Sequence, residues 1–262
     1  MIQYGEFEII PLPEGRFTVG ADKRFVPHAE GDPMRKGTLF ISVTPFLIKT
    51  PQDVLLLDTG LGEYAEGRGV DFLLDGLRRH GVERRDVTRV LLSHLHFDHA
   101  GGAVFSADGV DHPTFPDAEY VVQSAELDAV YRGESSEARD RAIGTLQAHG
   151  QLVTVEGEGA LTDEVSYAHT GGHTAGHGLF RLHTQGRTAV FAGDVLASPG
   201  QATRSFRAKY DHDPERAQAL REALVREAAT HGQLLLFYHS AEEPAAFVEE
   251  ARQGYVIERV AA

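Results

Sequence analysis

Apolar residues in this chain fall into short runs separated by polar, Gly- and Pro-containing breaks, and the runs follow two different periods. Residues 7–12 and 16–19 read as strands joined by the turn Pro13-Glu14-Gly15. Residues 22–38 are polar, contain Pro27 and Pro33, and predict a long loop, a kind of segment that often serves as a lid. Residues 39–49 and 54–57 are strand-like and flank the hairpin turn Thr50-Pro51-Gln52-Asp53. Val70, Leu73, Leu74 and Leu77 then repeat at helical spacing, with Gly81 placed to cap the helix end. A short buried strand at 89–92 and another at 119–123 follow, with helices predicted over 125–131 and 137–149. Residues 152–155, 165–169, 178–183 and 189–192 give a second set of strands. Asp213-Pro214-Glu215 starts a helix, with Asp as N-cap and Pro at the first helical position. Ala217, Leu220, Leu224 and Ala228 form its buried face and Gly232 ends it. The last strand expected is 234–237, running into Tyr238-His239. The two halves repeat loosely in type, which predicts two sheets packed face to face with helices outside, an α/β (α+β) chain.

One segment interrupts these patterns with chemistry. Directly after the apolar run 89–92 comes Ser93-His94-Leu95-His96-Phe97-Asp98-His99-Ala100-Gly101-Gly102. A strand followed by a tight loop aims alternate side chains into one cavity, so His94 and His96 can point to the same side. Asp98 and His99 follow where the chain turns, and Gly101-Gly102 lets the backbone come close to the site. Imidazole and carboxylate together suit zinc, and also iron or manganese.

Composition narrows the reading. The chain has 262 residues, 14 histidines, no cysteine and no tryptophan, and carries 39 acidic against 25 basic side chains, a formal charge of −14. Without cysteine there is no disulfide framework, thiolate zinc site, cysteine-held iron–sulfur cluster or cysteine nucleophile. An excess of acid argues against a nucleic-acid partner, since neutralising phosphates needs Lys and Arg. No run of ~18 apolar residues predicts a membrane span. The opening Met1-Ile2-Gln3-Tyr4-Gly5-Glu6 lacks the basic and apolar parts of a signal peptide, so the expected location is cytoplasmic. A small-molecule substrate is the expected partner, and a twofold homodimer the expected assembly from its commonness.

His94-Leu95-His96-Phe97-Asp98-His99 resembles the His-x-His-x-Asp-His signature of the metallo-β-lactamase-fold hydrolases. Asp58-Thr59-Gly60 resembles the family's Asp-Thr-Gly turn, and residues 170–177 its Thr-x-Gly-His-Thr-x-Gly-His segment. Gly193-Asp194 and the late Tyr238-His239 complete the order of motifs. The resemblance implies one domain over residues 1–262, folded as a four-layer αβ/βα sandwich. It implies two divalent ions, zinc foremost, with iron or manganese as alternatives. His94, His96 and His173 would hold one, Asp98, His99 and His239 the other, and Asp194 would bridge them. Asp58 would stand behind a ligand and fix its orientation. His177 and His169 would serve structure. Two ions ~3.5–4 Å apart share a hydroxide that attacks an ester-like centre. Asp98 would be the catalytic proton carrier, accepting the proton and passing it to the leaving group.

Departures from relatives sharpen the substrate. The absence of cysteine removes lactamases with a cysteine ligand, and His96 stands where the flavin-linked diiron reductases carry glutamate. The region after Asp194, with Gln201 and Tyr210-Asp211-His212-Asp213-Pro214, resembles the lactonase and methyl-parathion-hydrolase-like branch. Homoserine-lactone lactonases of that branch carry a tyrosine three positions after the bridging aspartate; here Ala197 takes the place, leaving Tyr210 or Tyr238 to substitute. Phe97, Tyr210 and Phe25 are the substrate-contact expectations, and Arg204, Arg207 and Lys209 form a basic cluster read as a solvated loop. The leading expectation is lactone or related ester cleavage. Phosphotriester, phosphodiester or thioester cleavage on the same site are alternatives, as is a mononuclear-iron persulfide dioxygenase.

Overall fold

In the computed structural model, residues 1–65, 69–131, 137–205, 207–240 and 242–260 are described. Two seven-stranded sheets dominate. The first runs, edge to edge, Ile2–Tyr4, Phe7–Pro11, Phe46–Lys49, Val54–Leu57, Arg89–Leu91, Glu119–Gln123 and Leu152–Val155. Its first four strands pair antiparallel and its last four parallel. The second runs Glu158–Ala160, Val165–His169, Gly178–Thr184, Arg187–Phe191, Leu234–Leu236, Ala245–Glu250 and Tyr255–Arg259. Only Arg187–Phe191 and Leu234–Leu236 are parallel neighbours there.

Strands buried on both faces read as unbroken apolar runs. Leu55 and Leu57 face the second sheet while Leu56 faces the helices, and all three are fully buried. Leu91 and Val121 likewise turn inward, against Phe180, Phe191, Leu234 and Leu236 of the other sheet. Outside the first sheet lie Leu73, Leu74 and Leu77 of the helix Asp71–Arg79 and Ala142, Ile143 and Leu146 of Glu137–Ala148. Outside the second lie Leu224, Val225 and Ala228 of Pro214–His231. The layers are therefore helix, sheet, sheet, helix, as the sequence predicts. Each fully buried leucine contributes about 1.5–3 kcal/mol of burial.

The helix ends follow the predicted chemistry. Asp213 accepts the backbone N–H of Arg216 at 3.0 Å, and Gly232 closes the same helix at φ 60. At the end of Asp71–Arg79, Val82 N–H reaches Leu77 O at 3.1 Å and Gly81 N–H reaches Arg78 O at 3.0 Å, a Schellman ending with Gly81 at φ 71.

Three expectations are corrected. Residues 39–49 are not one strand: Leu39–Val43 belongs to a three-stranded sheet with Gly15–Val19 and Phe25–Pro27, and Phe46–Lys49 to the first large sheet. Thr44-Pro45 makes the break, since Pro45 has no N–H to donate to a ladder. The loop 22–38 therefore contains a strand. Leu234–Leu236 is also not last, because Ala245–Glu250 and Tyr255–Arg259 extend the sheet to its edge. Among the described residues, no helix is long and apolar enough to cross a membrane.

Candidate metal centre

The chemistry-bearing residues sit where strands end. Asp58 follows Val54–Leu57, residues 93–99 follow Arg89–Leu91, Asp194 follows Arg187–Phe191 and His239 follows Leu234–Leu236. Residues just beyond the carboxyl ends of neighbouring strands converge in one crevice. The turn after Asp58 packs tightly on the Gly101-Gly102 pair. A Cβ on Gly102 would lie 2.2 Å from Thr59 O, and one on Gly101 2.3 Å from Leu61 O. Gly101 has an ordinary helical φ of −62, so the pair is needed for close approach and not for an unusual backbone angle. Asp58 itself takes φ 57, a left-handed conformation that aspartate tolerates better than most residues.

Three clusters of side chains have the composition and closeness to hold a metal ion: His94, His96 and His173; His94, His99 and Asp194; and Asp98, His99 and His239. In the first, His96 Nδ1 lies 2.9 Å from His94 Nε2 and 3.1 Å from His173 Nε2. In the last, Asp98 Oδ2 lies 3.7 Å from His99 Nε2 and 3.6 Å from His239 Nε2. Asp194 spans them. Its Oδ1 is 3.1 Å from both His99 Nε2 and His239 Nε2, while its Oδ2 is 3.2 Å from His173 Nε2.

Each supporting contact turns an imidazole the same way. His99 Nδ1–H donates to Asp58 Oδ2 at 2.7 Å, and Asp58 also accepts Ser93 N–H and Ser93 O–H, each at 2.7 Å. Ser93 Oγ in turn accepts His94 Nδ1–H at 3.1 Å. His173 Nδ1–H donates to Asp211 Oδ1 at 2.9 Å, and His239 Nδ1–H to Ser42 O at 2.7 Å. With Nδ1 committed outward, all four present an Nε2 lone pair to the centre, the arrangement a metal ligand needs. His177 is fully buried; its Nε2 accepts Asp194 N–H at 3.1 Å and its Nδ1–H donates to Thr170 Oγ1 at 2.6 Å. It holds the backbone of Asp194 and faces away from ligand duty. His169 is tied to Ala175 O at 2.9 Å.

A cation fits this donor set. His99 Nε2 and Asp194 Oδ1 are buried and face each other at 3.1 Å without hydrogen-bond geometry, a costly state for two polar atoms. Burial, with His173 beside it, drives His96 down to about 3, and burial with His99 drives His94 well below 6.5, so both are neutral at pH 7. Around His99 and His239 the balance reverses. Burial opposes charge, but Asp194 and Asp98 outweigh it and push both upward. Those carboxylates call for positive charge, which a divalent ion supplies in place of protons.

Comparison with known proteins now decides the family. The model of the metallo-beta-lactamase superfamily matches residues 39–239. The chain belongs to that superfamily. Among superfamily relatives, an N-acyl homoserine lactonase of Bacillus sp is 28% identical over 165 residues, covering 56% of this chain and 60% of that lactonase. An atrochrysone carboxyl ACP thioesterase of Passalora fulva is 30% identical over 165 residues, covering 63% of this chain and 41% of that enzyme. The chain thus spans well under two thirds of these relatives. In fold, it resembles the hydrolase AbOPH in the beta lactamase superfamily, with a TM-score of 0.82 at 23% identity over 100% of this chain and 97% of that one. AidC, a dizinc quorum-quenching lactonase, resembles it with a TM-score of 0.78 at 21% identity, over 100% and 97% of the two chains.

Around the superfamily signature, the residues expected near substrate divide. Phe97 is half-buried beside the cluster, with its ring 5.2 Å from Phe25 and 5.6 Å from Tyr64. Phe25 also packs on Phe17 at 5.7 Å, so it belongs to an aromatic row. Tyr210 lies 5.9 Å from the His173 ring and is 55% exposed. Partial burial, with Asp194 and Asp211 nearby, pushes the phenol up to about 12. Tyr238 is fully buried and donates to Asp98 O at 2.5 Å, so its hydroxyl is committed. Arg207 donates to Gln218 and Glu215 at 2.7 and 2.9 Å on the neighbouring helix. Sequence reasoning missed Tyr64, Asp211, Ser93 and Ser42 as contributors. Asp211 lay within a motif already singled out, whereas Ser42 acts through a backbone carbonyl that carries no sequence signal.

Proposed function

We propose that this chain is a dinuclear-metal hydrolase that cleaves a lactone or related ester of a small molecule. One observation carries the reading: the two oxygens of Asp194 face different ligand groups, His99 and His239 on one side and His173 on the other. His94, His96 and His173 would hold one ion, Asp98, His99 and His239 the other, with Asp194 shared. Two divalent ions bound there, zinc foremost, supply Lewis acidity toward a substrate oxygen and make water a usable nucleophile at neutral pH.

The chain's own residues do the rest. Asp98, anchored through its backbone carbonyl by Tyr238, would take a proton and return it to the leaving oxygen. Asp58 and Asp211 keep the imidazoles in the tautomer that leaves Nε2 free. The row Phe25, Phe97 and Tyr64 offers an apolar wall for the body of the substrate, and Tyr210 a phenolic donor that stays protonated at neutral pH. Ligands come from both halves, so residues 1–262 work as one unit.

Thioester cleavage is the second reading, favoured by the similarity to a thioesterase. The test is metal analysis of protein purified without added metal, followed by a panel of lactones, thioesters, phosphodiesters and a phosphotriester. Two ions per chain and turnover of lactones or esters is the expected result. One iron per chain, or activity confined to phosphodiesters, overturns the proposal.

A further inference from the structure

Arg221 projects from the helix Pro214–His231 and is 2% exposed, an expensive place for a guanidinium. Two of its contacts lead to the metal cluster from behind. Its Nε–H donates to the carbonyl of Val195 at 2.7 Å, and its Nη2 lies 3.9 Å from Asp211 Oδ2. Val195 directly follows Asp194 in the turn Gly193–Leu196. Asp194 and Asp211 are the two carboxylates that flank His173: Asp194 Oδ2 is 3.2 Å from its Nε2, and Asp211 Oδ1 accepts its Nδ1–H at 2.9 Å. One side chain therefore hydrogen-bonds the turn that carries one carboxylate and sets its charge 3.9 Å from the other carboxylate. Both carboxylates stand beside a single imidazole, Asp211 accepting its Nδ1–H and Asp194 facing its Nε2.

The geometry asks for arginine. A guanidinium is a rigid planar group, so the hydrogen bond from Nε to the Val195 carbonyl fixes where its positive charge lies relative to the Asp211 carboxylate. A lysine ammonium is a point charge on a flexible stem and cannot fix that position. The Asp211 backbone has its own tie, since His212 N–H donates to His173 O at 2.9 Å. That tie locates the peptide, and Arg221 faces the carboxylate.

We propose that Arg221 is a positioning residue that sets the spacing of Asp194 and Asp211 about His173, and so sets how tightly the His94–His96–His173 group takes a divalent cation. The inference rests on the reading that this cluster holds metal. Outer partners of metal ligands typically contribute about 10–100-fold in affinity. Arg221 acts one step further out, so a smaller effect is expected.

The test measures Zn2+ affinity by competition with a chromophoric chelator, on protein whose far-UV circular dichroism matches that of the wild type. The wild type is expected to bind two Zn2+ per chain. Arg221→Met should weaken one of the two by about 3–10-fold, below the outer-partner range. Arg221→Lys, which keeps charge and stem, should fall between, and it carries the test if Arg221→Met does not fold. Asp211→Asn should weaken the same ion, and the double variant should lose less than the sum of the two single losses. Wild-type affinity in Arg221→Met or Arg221→Lys, or strict additivity in the double variant, overturns this inference alone. Absence of Zn2+ binding by the wild type overturns the metal reading itself and takes this inference with it.

Discussion

The two ligand groups of the cluster are built from the same parts and set in opposite electrostatic surroundings. His94, His96 and His173 face one carboxylate, Asp194, with Asp211 behind His173 and offset by Arg221, and two of the three are driven neutral by burial and by neighbouring imidazoles. Asp98, His99 and His239 sit among Asp58, Asp98 and Asp194, and there the carboxylates prevail over burial. On the proposed reading, an ion on the first side would keep more of its charge and polarise a substrate oxygen more strongly. An ion on the second would be better neutralised and held. The electrophile would then belong to one side and proton handling, through Asp98, to the other.

Removing the shared residue breaks the comparison most completely. Asp194→Asn takes away the charge that serves both sides, so the expected result is loss of one ion per chain and a fall in kcat/KM of more than about 100-fold, beyond the range for outer partners. Metal analysis and kinetics on the same preparation check it. Two retained ions with near-normal turnover would contradict the bridging role.

The next effect is lopsided. Asp58 touches the second group directly, through His99, and reaches His94 of the first only through Ser93. Asp58→Asn keeps one accepting oxygen but loses its charge, and affinity for one ion should fall about 10–100-fold while the other falls less. Competition titration with Zn2+ reads the two affinities separately, and equal weakening of both would remove the asymmetry.

This asymmetry was only partly legible in the sequence. The side chains that converge were, because His94 to His99 and His173 lie in compact motifs whose spacing survives in one dimension. The layer order was legible as well, since strands buried on both faces leave continuous apolar runs such as 54–57. What escaped depends on partners distant in the chain. Asp211 matters because 38 residues separate it from the imidazole it orients, and Ser42 because a small separate sheet brings its carbonyl to His239. The strands Ala245–Glu250 and Tyr255–Arg259 were missed because the outer one is largely exposed and its pattern lacks a buried run.

Acid and alkali should separate the two groups in metal-free protein. His96 has about 3 in the folded state against 6.5 unfolded, so between those values the unfolded chain binds more protons and stability falls as pH falls. His99 and His239 are raised when folded, so the stability they contribute is full below 6.5 and is lost as pH climbs through their raised values. Urea midpoints of the metal-free protein should therefore peak near neutrality. His96→Gln should flatten the acid limb between pH 6.5 and about 4.5, above most carboxylate titration, and leave the alkaline limb alone. An unchanged acid limb would show that the first group does not carry its histidines neutral.

The smallest effect is expected where charge is plentiful but solvent screens it. Arg207 forms an ion pair with Glu215 at 2.9 Å and reaches Gln218 at 2.7 Å, and its side chain is 58% exposed. Exposed pairs of this kind are worth about 0–1 kcal/mol, because water and salt weaken the attraction and two long side chains must be ordered. The Arg207 charge is offset by Glu215 and screened by solvent, so little of its field reaches either ligand group. Arg207→Ala should therefore leave both Zn2+ affinities unchanged and shift stability by less than about 1 kcal/mol, read from urea midpoints at low and high salt. A larger loss of turnover on an anionic substrate, abolished by salt, would mean that this basic loop steers substrate and that the electrostatics of the site reach beyond its two ligand groups.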